Sequence, residues 1–193
     1  MRRILFVCTG NTCRSPMAEA LLRRMAKQRE IEVEVRSAGV SASLGVPISR
    51  HAEAVLRDHS IGDRITSSPL DRRLVEWADL ILTLTGAHKS HVLRYFPDAF
   101  ERTYTLKEYV EDDGKVLADL QELDSLHASA ELARALGETP DANARQRMIE
   151  LRQRIPSFDI SDPFGGSRDD YEATAAEIRT ALDRLLDKWD AQK

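Results

Sequence analysis

The sequence predicts an α/β fold, a three-layer sandwich in which a four-stranded parallel sheet is flanked by helices. Three observations support this class. Short runs of strand-forming residues alternate along the chain with segments of helical periodicity. The strand candidates are almost continuously apolar, as strands covered on both faces are. Finally, 193 residues, of which 42% are hydrophobic, suffice for one domain with a sizeable core.

The first two strands and the helix between them come first along the chain. Residues 3–8 form an apolar run rich in strand formers, and turn residues follow it. Ser15 and Pro16 are predicted to open the helix, with the serine as its N-cap. Alternating apolar residues from Ile31 onward indicate the second strand, which ends at residues 37–39.

Shorter segments complete the alternation. We expect helices at residues 47–59, 70–78 and 87–96, and strands at residues 79–84 and 102–104. Ser167 is predicted to cap a long last helix that runs to about Trp189. Ligands bind such sheets at the carboxyl ends of their strands, so the residues just after the first strand are where a site is expected.

Residues 113–154 depart from this alternation. Leucines recur every three residues at the start of the segment, Gly137 and Pro140 interrupt the pattern, and helical periodicity resumes from Met148. We interpret the segment as an inserted helical hairpin within one domain that spans residues 1–193. Packing on the surface is the simplest role for it, and the alternatives are a lid over the site, a dimer contact or a surface that binds a partner.

Charge and cysteine content exclude several classes of protein. With 28 basic and 32 acidic residues the formal net charge is −4, which argues against nucleic-acid binding. No apolar run has the length of a membrane span or of a signal-peptide core, so we expect a cytoplasmic protein without a membrane partner. Cys8 and Cys13, the two cysteines, are too few for a disulfide framework. They lie within six residues of each other, which indicates a role in the chemistry of a site rather than a structural disulfide.

The segment from Cys8 to Ser15 is the strongest functional signal in the chain. It joins a strand end, a polar loop with glycine and asparagine, an arginine and a helix start. Such a loop turns backbone N–H groups inward to bind an anion, and the helix adds its positive dipole end. Arg14 can bind two phosphate oxygens at once. In this field Cys8 is expected to be a thiolate, a nucleophile aimed at phosphorus, with Ser15 easing its later departure.

Other interpretations of this loop are weaker. Cys8 as an inert buried thiol and Arg14 as a surface charge would leave the loop composition unexplained. A Walker phosphate loop is excluded, because the sequence has no Gly-Lys-Ser/Thr. The cysteine spacing fits no common zinc site, and the five histidines are scattered, with His88 interpreted as solvated on a helix face. We therefore expect neither a metal nor a cofactor.

Phosphoryl transfer to Cys8 needs a proton donor for the leaving group. No acidic residue precedes Cys8, so the acid must come from downstream. Asp162 is the best candidate, because it lies on a loop with proline and glycine just before the last helix. Taken alone, Asp162 is better explained as the start of a turn. Coupled to the Cys8 loop, we interpret it as the general acid.

These residues resemble the low-molecular-weight protein tyrosine phosphatase family. The resemblance rests on residues 7–20, 37–39, 78–81 and 162–163, which stand in the family's order. It covers most of the chain, roughly excluding the predicted insertion, and it implies a phosphatase domain that acts on phosphorylated proteins. We expect this domain to be monomeric.

The resemblance implies roles for individual residues. Cys8 is the nucleophile, Arg14 binds the phosphate and Asp162 is the general acid. Asn11 and Ser15 support the loop. The expected substrate-binding set is completed by Thr9, Gly10, Thr12, Cys13 and Phe164.

Within that family, the details resemble the bacterial protein arginine phosphatases. Thr12 stands where tyrosine-directed members usually carry a larger aliphatic residue, and Phe164 and two glycines follow Asp-Pro where they tend to carry aromatic residues. The segment 104–109 adds to the likeness. The small hydroxyl side chain of Thr12 leaves room for a guanidinium. Asp162 can accept hydrogen bonds from the N–H groups of that guanidinium before it donates a proton. Phe164 can stack on the guanidinium or wall the site.

The implied reaction has two steps. Cys8 takes the phosphoryl group to form a cysteinyl phosphate, and water activated by Asp162 then releases phosphate. A tyrosine phosphatase with the same mechanism is the main alternative. An arsenate reductase would need further cysteines to relay a disulfide, and a phosphoprotein-binding module would need neither nucleophile nor acid.

Cys13 has two interpretations of equal weight. Mild oxidation would join it to Cys8 in a reversible disulfide that protects the thiolate from overoxidation. Alternatively, Cys13 is a small buried residue that fills the underside of the loop.

Overall fold

The computed structural model describes residues 1–139 and 141–191. The chain divides into two compact units, one made of residues 1–110 and the chain from residue 158 onward, the other of residues 111–157. Pro140, which the sequence places in the break between two helices, lies outside the described residues. The division into one phosphatase domain with an insertion at residues 113–154 stays a prediction.

The first unit is built around a parallel sheet with the strand order β2-β1-β3-β4. Its strands are β1 (Arg2–Cys8), β2 (Val33–Gly39), β3 (Leu80–Thr83) and β4 (Thr103–Thr105). Cys8 at the end of β1 aligns with Gly39 of β2, and Val7 aligns with Thr83 of β3. The carboxyl ends of these strands therefore meet at the edge where the loop with the two cysteines begins.

Helices connect the strands, and further helices come after the last strand along the chain. In the first unit they are α1 (Arg14–Gln28), α2 (Arg50–Asp58), α3 (Arg72–Trp77), α4 (Gly86–Tyr95), a 3₁₀ helix (Pro97–Arg102) and α5 (Leu106–Tyr109). The second unit contains α6 (Gly114–Ala135) and α7 (Ala142–Arg154), and α8 (Arg168–Asp190) completes the first. The described part of the chain has no helix that is both long and apolar enough to cross a membrane.

Alternate residues of β1 pack into two hydrophobic cores. Ile4 and Phe6 pack with residues of α1, α2 and α8 on one face of the sheet. Leu5 and Val7 pack with residues of α3 and α4 on the other. All four side chains are fully buried, which contributes about 1.5–3 kcal/mol for each. The predicted fold class, a parallel sheet covered on both faces, is confirmed.

Capping residues decide where the helices begin. Ser167 caps α8 as predicted, and its Oγ accepts the backbone N–H of Asp170. The helix expected from residue 47 begins later, because Ser49 caps it and accepts the N–H of Ala52 at 3.1 Å. The predicted N-cap role of Ser15 is wrong. Cys13 occupies the N-cap of α1 without a side-chain cap bond, and the Ser15 hydroxyl is used elsewhere.

The second unit is a pair of helices held by buried and charged contacts of its own. The Arg147 guanidinium donates to both carboxylate oxygens of Glu122, at 2.6 and 2.8 Å. Arg154 likewise reaches Asp119 at 2.5 Å. Gly137, with a φ of 74°, follows the end of α6 in the left-handed conformation that glycine adopts readily.

Candidate active site

The loop between β1 and α1 curves over the carboxyl end of the central strand. Cys8 begins it with 3% of its surface exposed, and the buried residues Arg14 and Ser15 end it. Asn11, in the middle, has a φ of 54°, a left-handed conformation that asparagine tolerates better than most residues. This conformation bends the loop back toward α1, so that the loop encloses the Cys8 sulfur.

Asn11 fixes this curvature with its fully buried side chain. Its Nδ2 donates to the hydroxyls of Ser15 and Ser37, both at 2.8 Å. Its Oδ1 accepts the backbone N–H of Ser68 at 2.8 Å. The amide therefore ties the loop to the end of β2 and to the segment before α3, which suits the loop-supporting role expected of Asn11.

Ser15 connects this network to the cysteine sulfur. Its Oγ lies 2.9 Å from the Sγ of Cys8. Because the same oxygen accepts the amide N–H of Asn11, the hydroxyl proton can be donated to the sulfur or to Ala38 O, which lies 3.5 Å away. The serine hydroxyl thus links the Asn11 amide to the Cys8 sulfur.

Asp162 comes from the other end of the chain and meets Arg14. Arg14 Nη2 donates to Asp162 Oδ2 at 2.9 Å across 148 positions of sequence. The arginine side chain is only 7% exposed, whereas the carboxylate is 53% exposed. The backbone N–H of Phe164 donates to the other carboxylate oxygen at 3.2 Å, and the Phe164 ring is exposed. The carboxylate thus stands at the mouth of the loop, in contact with the buried guanidinium.

A cavity of about 260 Å³ lies between the loop and Asp162. The residues that line it are Cys8, Thr9, Gly10, Thr12, Cys13, Arg14, Asp162 and Phe164. The structure therefore brings eight of the ten predicted site residues to one cavity, and the other two, Asn11 and Ser15, lie buried beneath the loop. A larger hollow of about 540 Å³ beside α2 has no cysteine in its lining, so chemistry rather than size singles out the smaller one.

β2 ends at Gly39, where the backbone of this loop lies too close to leave room for a side chain. The segment after it pairs with the loop backbone, with the N–H of Val40 donating to Cys8 O at 2.9 Å. A Cβ at Gly39 would lie 2.5 Å from Thr9 O and 2.9 Å from Asn11 N. These are backbone atoms of the loop itself, so a side chain here would displace the loop.

We expect Gly39→Ala to lower kcat/KM for p-nitrophenyl phosphate by at least about tenfold, because small displacements of catalytic groups are costly. The matched control is Gly62→Ala, since a Cβ at Gly62 meets nothing within 4 Å. Steady-state kinetics and thermal melting of both variants check the prediction. An alanine at Gly39 that left kcat/KM at the control's value would contradict it.

His88 is a residue of the site that the sequence interpretation missed. It is buried rather than solvated, with 6% of its surface exposed. Its Nε2 lies 2.8 Å from Thr9 Oγ1 in the loop, and its Nδ1 lies 2.9 Å from Thr85 Oγ1. Burial, reinforced by the charge of Arg14, lowers the pKa of His88 to about 4. The available signal was its position in the first turn of a helix that follows a central strand.

Neutral His88 is expected to make stability depend on pH. Its folded pKa lies below the ordinary value of 6.5, so the unfolded chain binds the proton more readily. The stability that it contributes is therefore complete above about pH 6.5 and is lost as the pH falls toward about 4. Between pH 7 and 5 the free energy of unfolding should fall by about 1 kcal/mol more in the wild type than in His88→Gln, after allowance for solvent screening. Urea unfolding checks this, and parallel pH profiles would contradict it.

Two further groups lie behind the loop. Glu19 of α1 is buried and accepts the hydroxyl of Ser37 at 2.5 Å. Burial raises the pKa of Glu19, while Ser37 and the charge of Arg23 oppose that rise. The Sγ of Cys13 lies 3.1 Å from the Tyr171 hydroxyl. Both cysteines are free thiols and buried, and the disulfide between them stays a prediction.

Within the described ranges, 1–139 and 141–191, no group of three or more His, Cys, Asp and Glu side chains is arranged to hold a metal ion. The metal-free reaction expected from the sequence stays a prediction.

Comparison with known proteins gives consistent matches. The family model described as low molecular weight phosphotyrosine protein phosphatase matches residues 3–130. The chain is 36% identical to the protein-arginine-phosphatase of Geobacillus stearothermophilus, with 99% of this chain and 98% of the relative covered. It is also 36% identical to the protein-arginine-phosphatase of Bacillus subtilis, with 94% and 93% covered.

A solved structure of the YwlE arginine phosphatase with a phosphorylated active-site serine is 34% identical and aligns with a TM-score of 0.72 over 97% of this chain and 95% of the other. The family model spans more than half of the chain, and the two relatives span nearly all of it. The chain therefore belongs to the low molecular weight phosphotyrosine protein phosphatase family.

Proposed function

We propose that the protein is a cysteine-dependent protein phosphatase that hydrolyses phosphoarginine through a cysteinyl-phosphate intermediate. The observation that carries the proposal is that Cys8, Arg14 and Asp162 line one cavity of about 260 Å³, with the guanidinium and the carboxylate 2.9 Å apart. A nucleophile, a phosphate-binding cation and a proton donor are the groups that this hydrolysis needs.

The first step transfers the phosphoryl group to the enzyme. The Cys8 thiolate attacks phosphorus, a P–S bond forms, and the P–N bond to the guanidino nitrogen breaks. Arg14 and the loop amides hold the equatorial oxygens as charge redistributes. Asp162 gives its proton to the departing nitrogen, so that the substrate protein leaves with an unphosphorylated arginine side chain.

The second step regenerates the enzyme. Water attacks phosphorus while the Asp162 carboxylate takes its proton, and the P–S bond breaks. Cys8 leaves as a thiolate, which the Ser15 hydroxyl at 2.9 Å stabilises. Inorganic phosphate then dissociates, and Asp162 is again protonated for the next cycle.

The contact between Arg14 and Asp162 supports arginine as the residue that carries the phosphate. In the absence of substrate, Asp162 already accepts an N–H of a guanidinium at 2.9 Å. A phosphoryl dianion competes for Arg14, which frees Asp162 to accept the N–H groups of a substrate guanidinium instead. The phenol oxygen of phosphotyrosine offers no such donor. Thr12, a small side chain in the cavity lining, leaves room for the planar group.

Two similarities support the same substrate. The relatives from Geobacillus stearothermophilus and Bacillus subtilis are named protein-arginine-phosphatases. The YwlE structure with a phosphorylated active-site serine is the state expected if the nucleophile accepts the phosphoryl group. The family description, in contrast, favours phosphotyrosine, which keeps tyrosine phosphatase as the second candidate. The cytoplasmic location, the monomeric state and the absence of nucleic-acid partners stay predictions.

The test is a comparison of one peptide sequence that carries either phosphoarginine or phosphotyrosine. We expect kcat/KM to favour phosphoarginine by about 100-fold, the size of discrimination that pocket shape and one polar contact provide. Thr12→Ile should reduce that preference, because the larger side chain narrows the cavity. A preference for phosphotyrosine in the unaltered protein would assign it to the second candidate.

A further inference from the structure

The segment that carries Asp162 is anchored at several points outside the cavity. The N–H of Ile160 donates to Leu84 O at 2.8 Å, just beyond the end of β3. The Asp159 carboxylate accepts the N–H of Gly86, at the start of α4, at 2.7 Å. These contacts hold residues 159–160 against the edge of the sheet.

Lys107 and Glu177 hold the next part of the segment. Lys107 Nζ donates to Asp159 O at 2.9 Å and also pairs with Glu177 Oε1. Glu177 Oε2 accepts from both the N–H and the hydroxyl of Ser161, at 3.1 and 2.7 Å. The carboxylate thus joins the lysine to the residue directly before Asp162. Both side chains are partly buried, 29% and 27% exposed.

The protonation state of Glu177 agrees with this arrangement. Burial by itself raises the pKa of Glu177, but the hydrogen bonds from Lys107 and Ser161 outweigh burial and hold the pKa below its ordinary value. The group is therefore a carboxylate that can accept all three donors near neutral pH.

Asp162 depends on these anchors when substrate binds. In the free site its carboxylate is bonded to Arg14 and to the N–H of Phe164. When a phosphoryl dianion draws Arg14 away, Asp162 loses the stronger of these two partners. The loop that follows turns at Gly165, whose φ of 77° is the left-handed conformation that glycine adopts readily.

We propose that Lys107 and Glu177 are positioning residues for the general acid, which fix Asp159 and Ser161 so that the Asp162 carboxylate stays over the Cys8 sulfur during proton transfer. The inference rests on the proposed function, because that function assigns the proton transfer to Asp162. It also gives a role to Lys107 of the segment 104–109, which resembles the arginine phosphatases.

The second lysine–glutamate pair of the same region supplies a matched control. Lys89 Nζ donates to both carboxylate oxygens of Glu108, at 2.7 and 2.9 Å. Its exposure, 26% for the lysine and 22% for the glutamate, is close to that of the first pair. Glu108 caps α5 at Thr105 instead of binding the acid segment.

The experiment compares Lys107→Met and Glu177→Gln with the control Lys89→Met on two aryl phosphates. Phenyl phosphate has a poor leaving group that needs the acid, and p-nitrophenyl phosphate has a good one that needs it less. We expect Lys107→Met and Glu177→Gln to lower kcat/KM for phenyl phosphate about tenfold, with kcat/KM for p-nitrophenyl phosphate changed less than about threefold, because kcat/KM reports the first step, in which the leaving group departs. Lys89→Met should lower the activity on neither substrate. Lys107→Arg should keep most of the phenyl phosphate activity that Lys107→Met loses.

A double-mutant cycle separates positioning from general destabilisation. In an Asp162→Asn background, Lys107→Met should cause no further loss, because the group that it positions is already absent. Equal losses on both substrates, or full additivity with Asp162→Asn, would overturn the proposal and leave the proposed function intact. If Asp162→Asn itself showed no preference for the good leaving group, the acid assignment and this proposal would both be wrong.

Discussion

Cys8→Ser is expected to lower turnover of a phosphoarginine peptide by about 10⁴-fold or more, as loss of an enzyme nucleophile does. A serine hydroxyl at this position is a weak nucleophile, because the hydrogen-bonding partner of the sulfur is another hydroxyl, Ser15, 2.9 Å away, and not a base. An alkoxide is also a poorer leaving group than a thiolate, so any phosphoserine that forms should persist. Quenched reactions examined by peptide mass spectrometry check both effects.

The control for this variant is binding. Arg14 and the loop remain intact in Cys8→Ser, so inorganic phosphate should still protect the protein against thermal unfolding. Normal turnover by Cys8→Ser would contradict the assignment of Cys8 as the nucleophile. Loss of phosphate binding together with turnover would show instead that the substitution had disrupted the loop.

Asp162→Asn is expected to lower kcat for phosphoarginine by about 10²- to 10⁴-fold, the range that general acids contribute. The guanidino nitrogen is a very poor leaving group without a proton. The asparagine amide oxygen can still accept an N–H of the substrate guanidinium in place of the Asp162 carboxylate, so KM should change little. With p-nitrophenyl phosphate the loss should be much smaller in the first step. Pre-steady-state kinetics on both substrates provide the measurement, and equal losses in the rate of the first step would contradict the assignment.

The parts of this structure that could be predicted from sequence are those with a local signal. The apolar run of β1 and the turn residues after it mark a strand and its carboxyl end, and Ser167 marks the start of α8. Because ligands bind at the carboxyl ends of parallel strands, the location of the site followed from the same pattern. Asp162 could be identified from chemical need, since no acidic residue precedes Cys8.

Contacts between residues far apart in the chain could not be predicted from the sequence. Nothing in the local pattern indicates that Glu177 meets Lys107 across 70 positions, or that His88 turns inward to Thr9 across 79. Ser15 was misassigned for a related reason. A serine before proline has the pattern of an N-cap, and only the folded loop shows its hydroxyl committed to the sulfur and to Asn11. Such pairings are set by how helices pack on the sheet, which residue periodicity does not specify.

A crystal structure with bound orthovanadate tests the central claim most directly, because vanadate adopts the geometry of a phosphoryl group in transfer. We predict vanadium within bonding distance of the Cys8 sulfur, oxygens surrounded by the loop from Thr9 to Arg14, and the Arg14 guanidinium turned from Asp162 to two of these oxygens. Vanadate bound outside the loop, or an Arg14 side chain that makes no hydrogen bond to the bound vanadate, would contradict the account.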